Sequence, residues 1–221
     1  MVSLLDDIST RGDQLRERVR QLLEQHQYST NTKSVMLVAY VDLALEDHEA
    51  IWLLRERKLT GSAFALVRVM YDIMLRALWI GAVASEEQID QASRDDLHWP
   101  PIGKMRADIK QAYFGPRTLE DVELPKLADR FFQYLDDLWK VLCSYTHPGA
   151  RQLGRRFTGD QVKPNYGDWE TAQALNLTTL ALMLLVIGFF AIMGAQPDAE
   201  EIRTLLMRYF AEFNERLNKG K

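Results

Sequence analysis

The chain has a single cysteine, Cys143. An internal disulfide is therefore impossible, and a zinc cluster built from several thiolates is excluded. No glycine-rich phosphate loop, Gly-x-Ser-x-Gly elbow or His-Glu-x-x-His pair occurs, so the usual signatures of phosphate-loop nucleotidases, α/β-hydrolases and zinc proteases are missing. No segment alternates apolar and polar residues for long enough to read as a strand. A broad positive field is also missing: 27 basic residues face 31 acidic ones, for a net charge of -4. General nucleic-acid or membrane-surface binding through diffuse charge is thereby excluded, although local basic patches are not. The first residues, MVSLLDDISTRGDQL, turn acidic early and lack the basic start and apolar run of a secretory signal. A cytoplasmic location is the expectation.

What is present is helical periodicity almost throughout. At 221 residues the chain can bury one sizeable core without a second domain. Ser3 opens a capping-box-like start for a helix to about Gln27, and Ser29 or Thr30 can cap a second helix to about Lys58. Thr60-Gly61-Ser62 breaks the chain before a third helix to about Ala84. Ser85 and Gln88 form a capping box for a short helix, ended by Trp99-Pro100-Pro101. A further short helix is expected near 102–114, followed by the Gly115-Pro116 turn. Pro125 suits the first position of a helix to about Tyr145. Residues 148–167 hold Pro148, Gly149, Gly154, Gly159, Pro164 and Gly167 and form the longest irregular stretch, yet they keep Leu153, Phe157, Val162 and Tyr166, so they should fold back over the bundle. Asp168 can cap the next helix, and Pro197-Asp198 starts the last. The expected fold is all-α, a single-domain helical bundle spanning 1–221, with about five long helices and several short ones.

Leu177 through Ala195 carries no charge and approaches the ~20 residues needed to cross a bilayer. Two readings follow: a membrane span, or the central helix of a bundle, buried on every side. No Lys or Arg cluster flanks either end, so the bundle reading is preferred. Thr178, Thr179 and Gly188 suit close helix packing.

The third helix reads SAFALVRVMYDIMLRALWI and contains Arg68, Asp72 and Arg76 at steps of four. These fall within about a quarter of the helix circumference. A charge in apolar surface must be paired or hydrogen-bonded. One reading is an anion site, with two guanidiniums for a phosphate or carboxylate and Asp72 orienting them. The other pairs the stripe with an acidic row on the second helix, Asp42, Glu46 and Glu49. Tyr71 and Trp79 lie close enough around the helix to line a pocket.

A second cluster is Ser144-Tyr145-Thr146-His147-Pro148-Gly149, followed by Arg151, Arg155 and Arg156. His147 at a helix end could act as general acid or base, with the arginines as phosphate contacts. Alternatively it is a C-terminal capping residue and the arginines are a solvated face. Cys143, one turn earlier, reads as a buried inert thiol or a nucleophile. No cofactor or metal is expected. His48 in Glu-Asp-His-Glu is out of register for a di-iron bundle, and Asp95-x-x-His98 lacks an obvious partner. His26 reads as exposed near a helix end, and the Asp13–Arg20 stretch as a solvated helix face.

The segments GSAFALVRVMYDIMLRALWIGAVA, LWKVLCSYTHPGARQLGRR and VKPNY together resemble an uncharacterised bacterial family of helical proteins, over roughly residues 35–195. Gly61, Arg68, Arg76, Trp79, Trp139, His147, Arg151, Pro164 and Tyr166 are among the matching positions. The resemblance implies a helical fold and no particular activity. More loosely, the architecture and the helix-end histidine resemble the HEPN superfamily, many of whose members are ribonucleases of defence and toxin systems. Here no arginine precedes His147, whose upstream neighbours are Val141, Leu142 and Cys143; Arg151 follows it. The reading that results is a non-enzymatic binding or regulatory protein with a buried Arg/Asp network. The alternative is a HEPN-like, phosphate-directed protein using His147 with Arg151, Arg155 and Arg156 on RNA, joined by Arg68 and Arg76 if residues 148–167 fold onto the third helix. In the first reading the Tyr145–His147 corner is an internal strut. The expected partners are an anionic ligand or RNA phosphate, a protein partner, and a second copy in a homodimer.

Overall fold

The computed structural model describes residues 4–113, 123–147, 149–159, 161–162 and 165–219; side chains are described for these except at 4–9, 123–125, 127, 137, 138, 151, 169, 170, 210 and 213–219. Long helices dominate: α1 (Leu4–Glu24), α2 (Thr32–Glu56), α3 (Thr60–Ala82), α6 (Glu123–Thr146), α8 (Asp168–Ile192) and α9 (Gln196–Lys219). Shorter helices are α4 (Glu86–Ser93), α5 (Ile102–Tyr113) and α7 (Ala150–Gly154). The fold is all-α, with six long helices among the described residues rather than about five. The outermost pair, α1 and α9, are tied to each other by Arg18–Glu201 at 2.5 Å and by Arg11–Glu212.

Local chemistry explains most boundaries. The capping box at Ser85 forms as expected: the Ser85 N–H donates to Gln88 Oε1 at 2.9 Å, and the Gln88 N–H to Ser85 Oγ at 3.3 Å. The cap of α2 is Asn31, not Ser29 or Thr30. Its side-chain oxygen accepts from the Ser34 N–H at 2.8 Å, while Ser29 Oγ is used by the Asn31 amide at 2.9 Å. Pro125 lies third in α6 rather than first, a position whose N–H has no intrahelical acceptor in any case. Residues 148–167 are less irregular than expected. They contain α7 and a small antiparallel hairpin, β1 (Phe157–Thr158) with β2 (Gln161–Val162), in the register Phe157↔Val162.

α3 and α8 form the centre. α3 packs against α2, α5, α6 and α8, while α8 also touches α1, α2 and α9. Every residue of α8 from Leu177 to Phe190 is buried. α8 is, among the described residues, the one helix long and apolar enough to cross a membrane, and 89% of its apolar window lies inside the bundle. Its lack of a polar face follows from having helices on all sides. Thr178 and Thr179 return their hydroxyls to the Leu175 carbonyl at 2.7 and 3.1 Å, so neither leaves a polar group unsatisfied in the core. Gly188 faces Leu78 so closely that a Cβ there would collide with its Cδ2, and Gly81 similarly faces Ile192. The two central helices therefore approach at glycines.

Candidate functional site

On α3, Gly61, Arg68, Asp72, Arg76 and Trp79 recur within about 80° of one another at ~100° per residue. This face is where neighbouring elements place polar and aromatic groups. Arg68 and Asp72 are half-buried, with side chains 21% and 28% exposed, and lie 3.6 Å apart at their closest charged atoms. That is an ion pair outside hydrogen-bonding distance. The Arg68 guanidinium stacks on Trp139 of α6, 4.8 Å from the ring centroid, and Arg76 stacks on Trp99 at 4.6 Å. Trp99 also meets Trp79 edge-on, and the Trp79 Nε1–H donates to Asp108 of α5 at 3.2 Å. Stacking on an indole face holds each guanidinium plane without using its in-plane N–H donors. Arg68 Nε is out of contact with solvent and has no acceptor. Neither arginine donates a hydrogen bond to a described residue.

Burial pushes the Asp72 carboxyl above its ordinary range, although Arg68 and Arg76 both pull it down. Tyr71, one residue away, packs edge-on against Trp139 and Phe131. Its burial raises the phenol to about 12, with the Arg106 guanidinium acting in the opposite sense. Arg106 itself is ion-paired with Asp136. The stripe thus holds two cations and one half-buried carboxylate.

The acidic row on α2 does not serve it. Glu49 accepts from Arg20 of α1 at 2.8 Å, and Asp42 and Glu46 are exposed. The expected pairing with α2 is replaced by stacking on tryptophans from α6 and from the segment before α5. Arg68 and Arg76 are at most partly neutralised by the protein.

The second cluster is divided by the fold. Tyr145 is buried and packs edge-on against Phe64 of α3, with ring centroids 5.1 Å apart; Tyr166 joins them at 5.5 Å from Phe64. The segment after α7 therefore does fold onto α3. Around Gly61, a Cβ would lie 2.7 Å from the Tyr166 hydroxyl and near Arg156 and Gln152, so glycine is needed for this docking. His147 is exposed at the end of α6, its backbone N–H bonded to the Cys143 carbonyl at 3.0 Å. Its imidazole makes no hydrogen bond to a described residue, so it is not a side-chain cap. Arg155 donates to the Asn165 carbonyl at 3.2 Å. The side chain of Arg151 lies outside the described residues, as do Pro148, Gly115 and Pro116. Thr146 returns its hydroxyl to Leu142, and Cys143 is half-buried. Gly61→Val is expected to cost about 1–3 kcal/mol by overpacking and to speed tryptic cleavage at Arg155 and Arg156, measured by mass spectrometry of timed digests.

One buried network escaped the sequence entirely. Arg16, expected on a solvated face, is only 7% exposed, and His48 is completely buried. Arg16 Nη1 lies 2.8 Å from His48 Nδ1. A guanidinium can only donate, so Nδ1 is the unprotonated nitrogen and Nε2 carries the hydrogen. Nε2 then donates to Thr179 Oγ1 at 3.1 Å, which passes its own hydrogen to the Leu175 carbonyl. The Trp52 indole nitrogen, 3.5 Å from the same Nε2, is a packing neighbour, because two donors face each other there. Burial first, then Arg16, lowers the His48 pKa to about 3, so the ring is neutral. Arg16 also pairs with the exposed Asp13. This chain stitches α1, α2 and α8 together; it offers no open position for a substrate. His26, by contrast, is partly buried and pairs with Asp198 at 2.6 Å. No group of three or more potential metal ligands occurs among the described residues.

A sequence model described as a family of unknown function, DUF6988, matches residues 41–215. The chain belongs to this family. The matched range begins inside α2 and ends inside α9, so it contains the whole Arg68–Arg76 stripe and the α6–α7 corner while leaving α1 outside. No curated protein and no solved structure matches the chain. Arg16 thus lies outside the segment that defines DUF6988, whereas His48, its partner, lies within it.

Proposed function

We propose that this member of the DUF6988 family is a non-enzymatic binding or regulatory protein whose α3 stripe receives an anion. One observation carries the reading: Arg68 and Arg76 are each stacked on a tryptophan, neither gives a hydrogen bond to a described residue, and the buried Arg68 Nε has no acceptor. A desolvated donor without an acceptor costs about 1–3 kcal/mol. A carboxylate or phosphate oxygen at the exposed part of the Arg68 side chain would offset the stripe's excess positive charge. The two Cα positions lie about 12 Å apart along the helix axis, with the Asp72 carboxylate between them partly offsetting their mutual repulsion. The half-buried setting strengthens such contacts relative to the open surface.

The test is thermal unfolding with phosphate, pyrophosphate, sulfate and citrate at constant ionic strength, chloride being the control. At a hundredfold excess over Kd, the midpoint is expected to rise by about 5–10 °C. In Arg68→Met that rise should largely vanish. Equal midpoints in chloride and in every oxyanion would end this reading.

A phosphate-directed alternative draws on the α6–α7 corner, where the exposed His147 ring stands one short helix from Arg155 and Arg156. It takes RNA as ligand and His147 as general acid or base. RNA cleavage by the wild-type protein that disappears in His147→Ala supports it. Cleavage that persists in His147→Ala, or none by either protein, rules the catalytic version out.

A further inference from the structure

We propose that the cavity between α3, α6, α7 and α8 is a second site, separate from the α3 stripe, for an apolar molecule bearing one carboxylate. The cavity has a volume of about 470 Å³, within the range of small-molecule sites and far above the volume of one water. Phe64 and Val67 of α3, Leu142 and Tyr145 of α6 and Leu177 of α8 form apolar walls. Arg68 follows Val67 but is turned by about 100° along the helix and leans on Trp139. The contact between α3 and α6 therefore separates the two sites.

The polar side chains lining this cavity are few: Tyr134, Tyr145, Gln173 and Arg155 among the described residues. Tyr134 donates its hydroxyl to Gln173 Oε1 at 3.3 Å, which turns the amide N–H donors of Gln173 to other use. Arg155 stands at the rim and is positioned by its bond to the Asn165 carbonyl. It is the sole charged residue among the described residues lining the cavity. An apolar chamber whose neutral polar groups are the Gln173 amide and two tyrosine hydroxyls, and whose one cation among the described lining residues is Arg155, is complementary to a hydrocarbon body with an anionic end. A cationic amphiphile would meet Arg155 unfavourably, and a purely polar ligand would leave the aromatic and aliphatic walls unmatched.

The experiment uses the full chain with octanoate and, as the uncharged analogue, octanol, by titration calorimetry and by ligand-to-protein NOEs. Octanoate is expected to bind saturably, with NOEs from its chain protons to the Phe64 and Tyr145 rings. Arg155→Gln should weaken octanoate about tenfold or more, as for loss of a charge-assisted contact, and should leave octanol unchanged. The Arg68→Met variant should bind octanoate as the wild type does, so failure of this site and failure of the α3 stripe are read separately. No saturable heat and no NOE to these rings with millimolar octanoate would overturn the proposal. So would equal octanoate affinity in wild type and Arg155→Gln, or NOEs confined to other rings.

Discussion

A His48→Leu variant should lose about 1–3 kcal/mol of stability, the largest single-residue effect expected outside the apolar core. The leucine fills much of the space of the ring, so little of the loss comes from a cavity. The cost arises because Arg16, 7% exposed, keeps its charge and loses the acceptor at 2.8 Å. Breaking a buried polar pair on one side strands the other side, whereas replacing both partners by apolar groups is often nearly neutral. The double variant Arg16→Leu/His48→Leu is therefore expected to recover most of the loss. Denaturant unfolding of the wild type, both single variants and the double variant measures the coupling directly. Additive losses would mean that Arg16 and His48 do not depend on each other.

The same histidine produces the second large effect, a dependence of stability on pH. In the folded protein its pKa is lowered to about 3, by burial first and by Arg16 second, from an ordinary value of 6.5. Below 6.5 the unfolded chain takes up a proton that the folded chain refuses. The unfolded state then binds more protons, so stability falls as the pH falls. The slope is about 1.4 kcal/mol per pH unit until the folded value near 3 is reached, or about 3 kcal/mol between pH 6.5 and pH 4. His48→Gln keeps an acceptor for Arg16 and a donor for Thr179 but does not titrate. The wild type should therefore lose about 3 kcal/mol more than His48→Gln over this interval. Parallel pH profiles for the two proteins would show that the ring is not held neutral by the fold. Glu49 and Glu201, whose carboxyls are lowered chiefly by hydrogen bonds from Arg20 and Arg18, lose their contributions at lower pH in both proteins and cancel in the comparison.

These two effects mark the part of the molecule that was least legible in the sequence. The stretch DQLRERVR has charges at most positions and reads as a face turned to water. Nothing in it reveals that Arg16 meets a histidine 32 residues later and, through it, a threonine 131 residues beyond that. Local spacing carries no information about such a meeting. His48 similarly sits among Glu46, Asp47 and Glu49, and only the burial of one side of α2 distinguishes it from them. What could have flagged it is helical phase: Ala44, His48, Ile51 and Trp52 share one face, so His48 belongs to the apolar stripe of its helix.

The architecture was far more accessible. Ser85 and Gln88 announce their capping box by type and spacing, and the box forms as expected. The uncharged run in α8 fits a helix surrounded by others, and Gly188 opposite Leu78 shows how close that packing is. The α3 stripe was half legible. Steps of four put Arg68, Asp72 and Arg76 on one side, and the need to keep these charges from bare apolar surroundings follows from their positions. The partners did not follow, because Trp99 and Trp139 come from distant segments, and the acids on α2 that looked available are engaged by α1 or exposed. The docking of the segment after α7 was legible in outline from its retained aromatic and aliphatic residues. Its contact with Gly61 was not, since a glycine in Thr60-Gly61-Ser62 reads first as a chain break.

The claim on which the functional reading depends is that Arg68 and Arg76 still have hydrogen bonds to give. Nitrogen-15 NMR of the arginine side chains measures this at the atoms concerned. The protein is titrated with phosphate at constant ionic strength, and the Nε–H signals, assigned with Arg68→Lys and Arg76→Lys, are followed. A saturable downfield movement of the Arg68 signal, accompanied by that of Arg76 and by slower exchange with water, is the predicted result. If both signals stay in place through tens of millimolar phosphate while exposed arginines drift with salt alone, the α3 stripe is internal bracing and not a binding site.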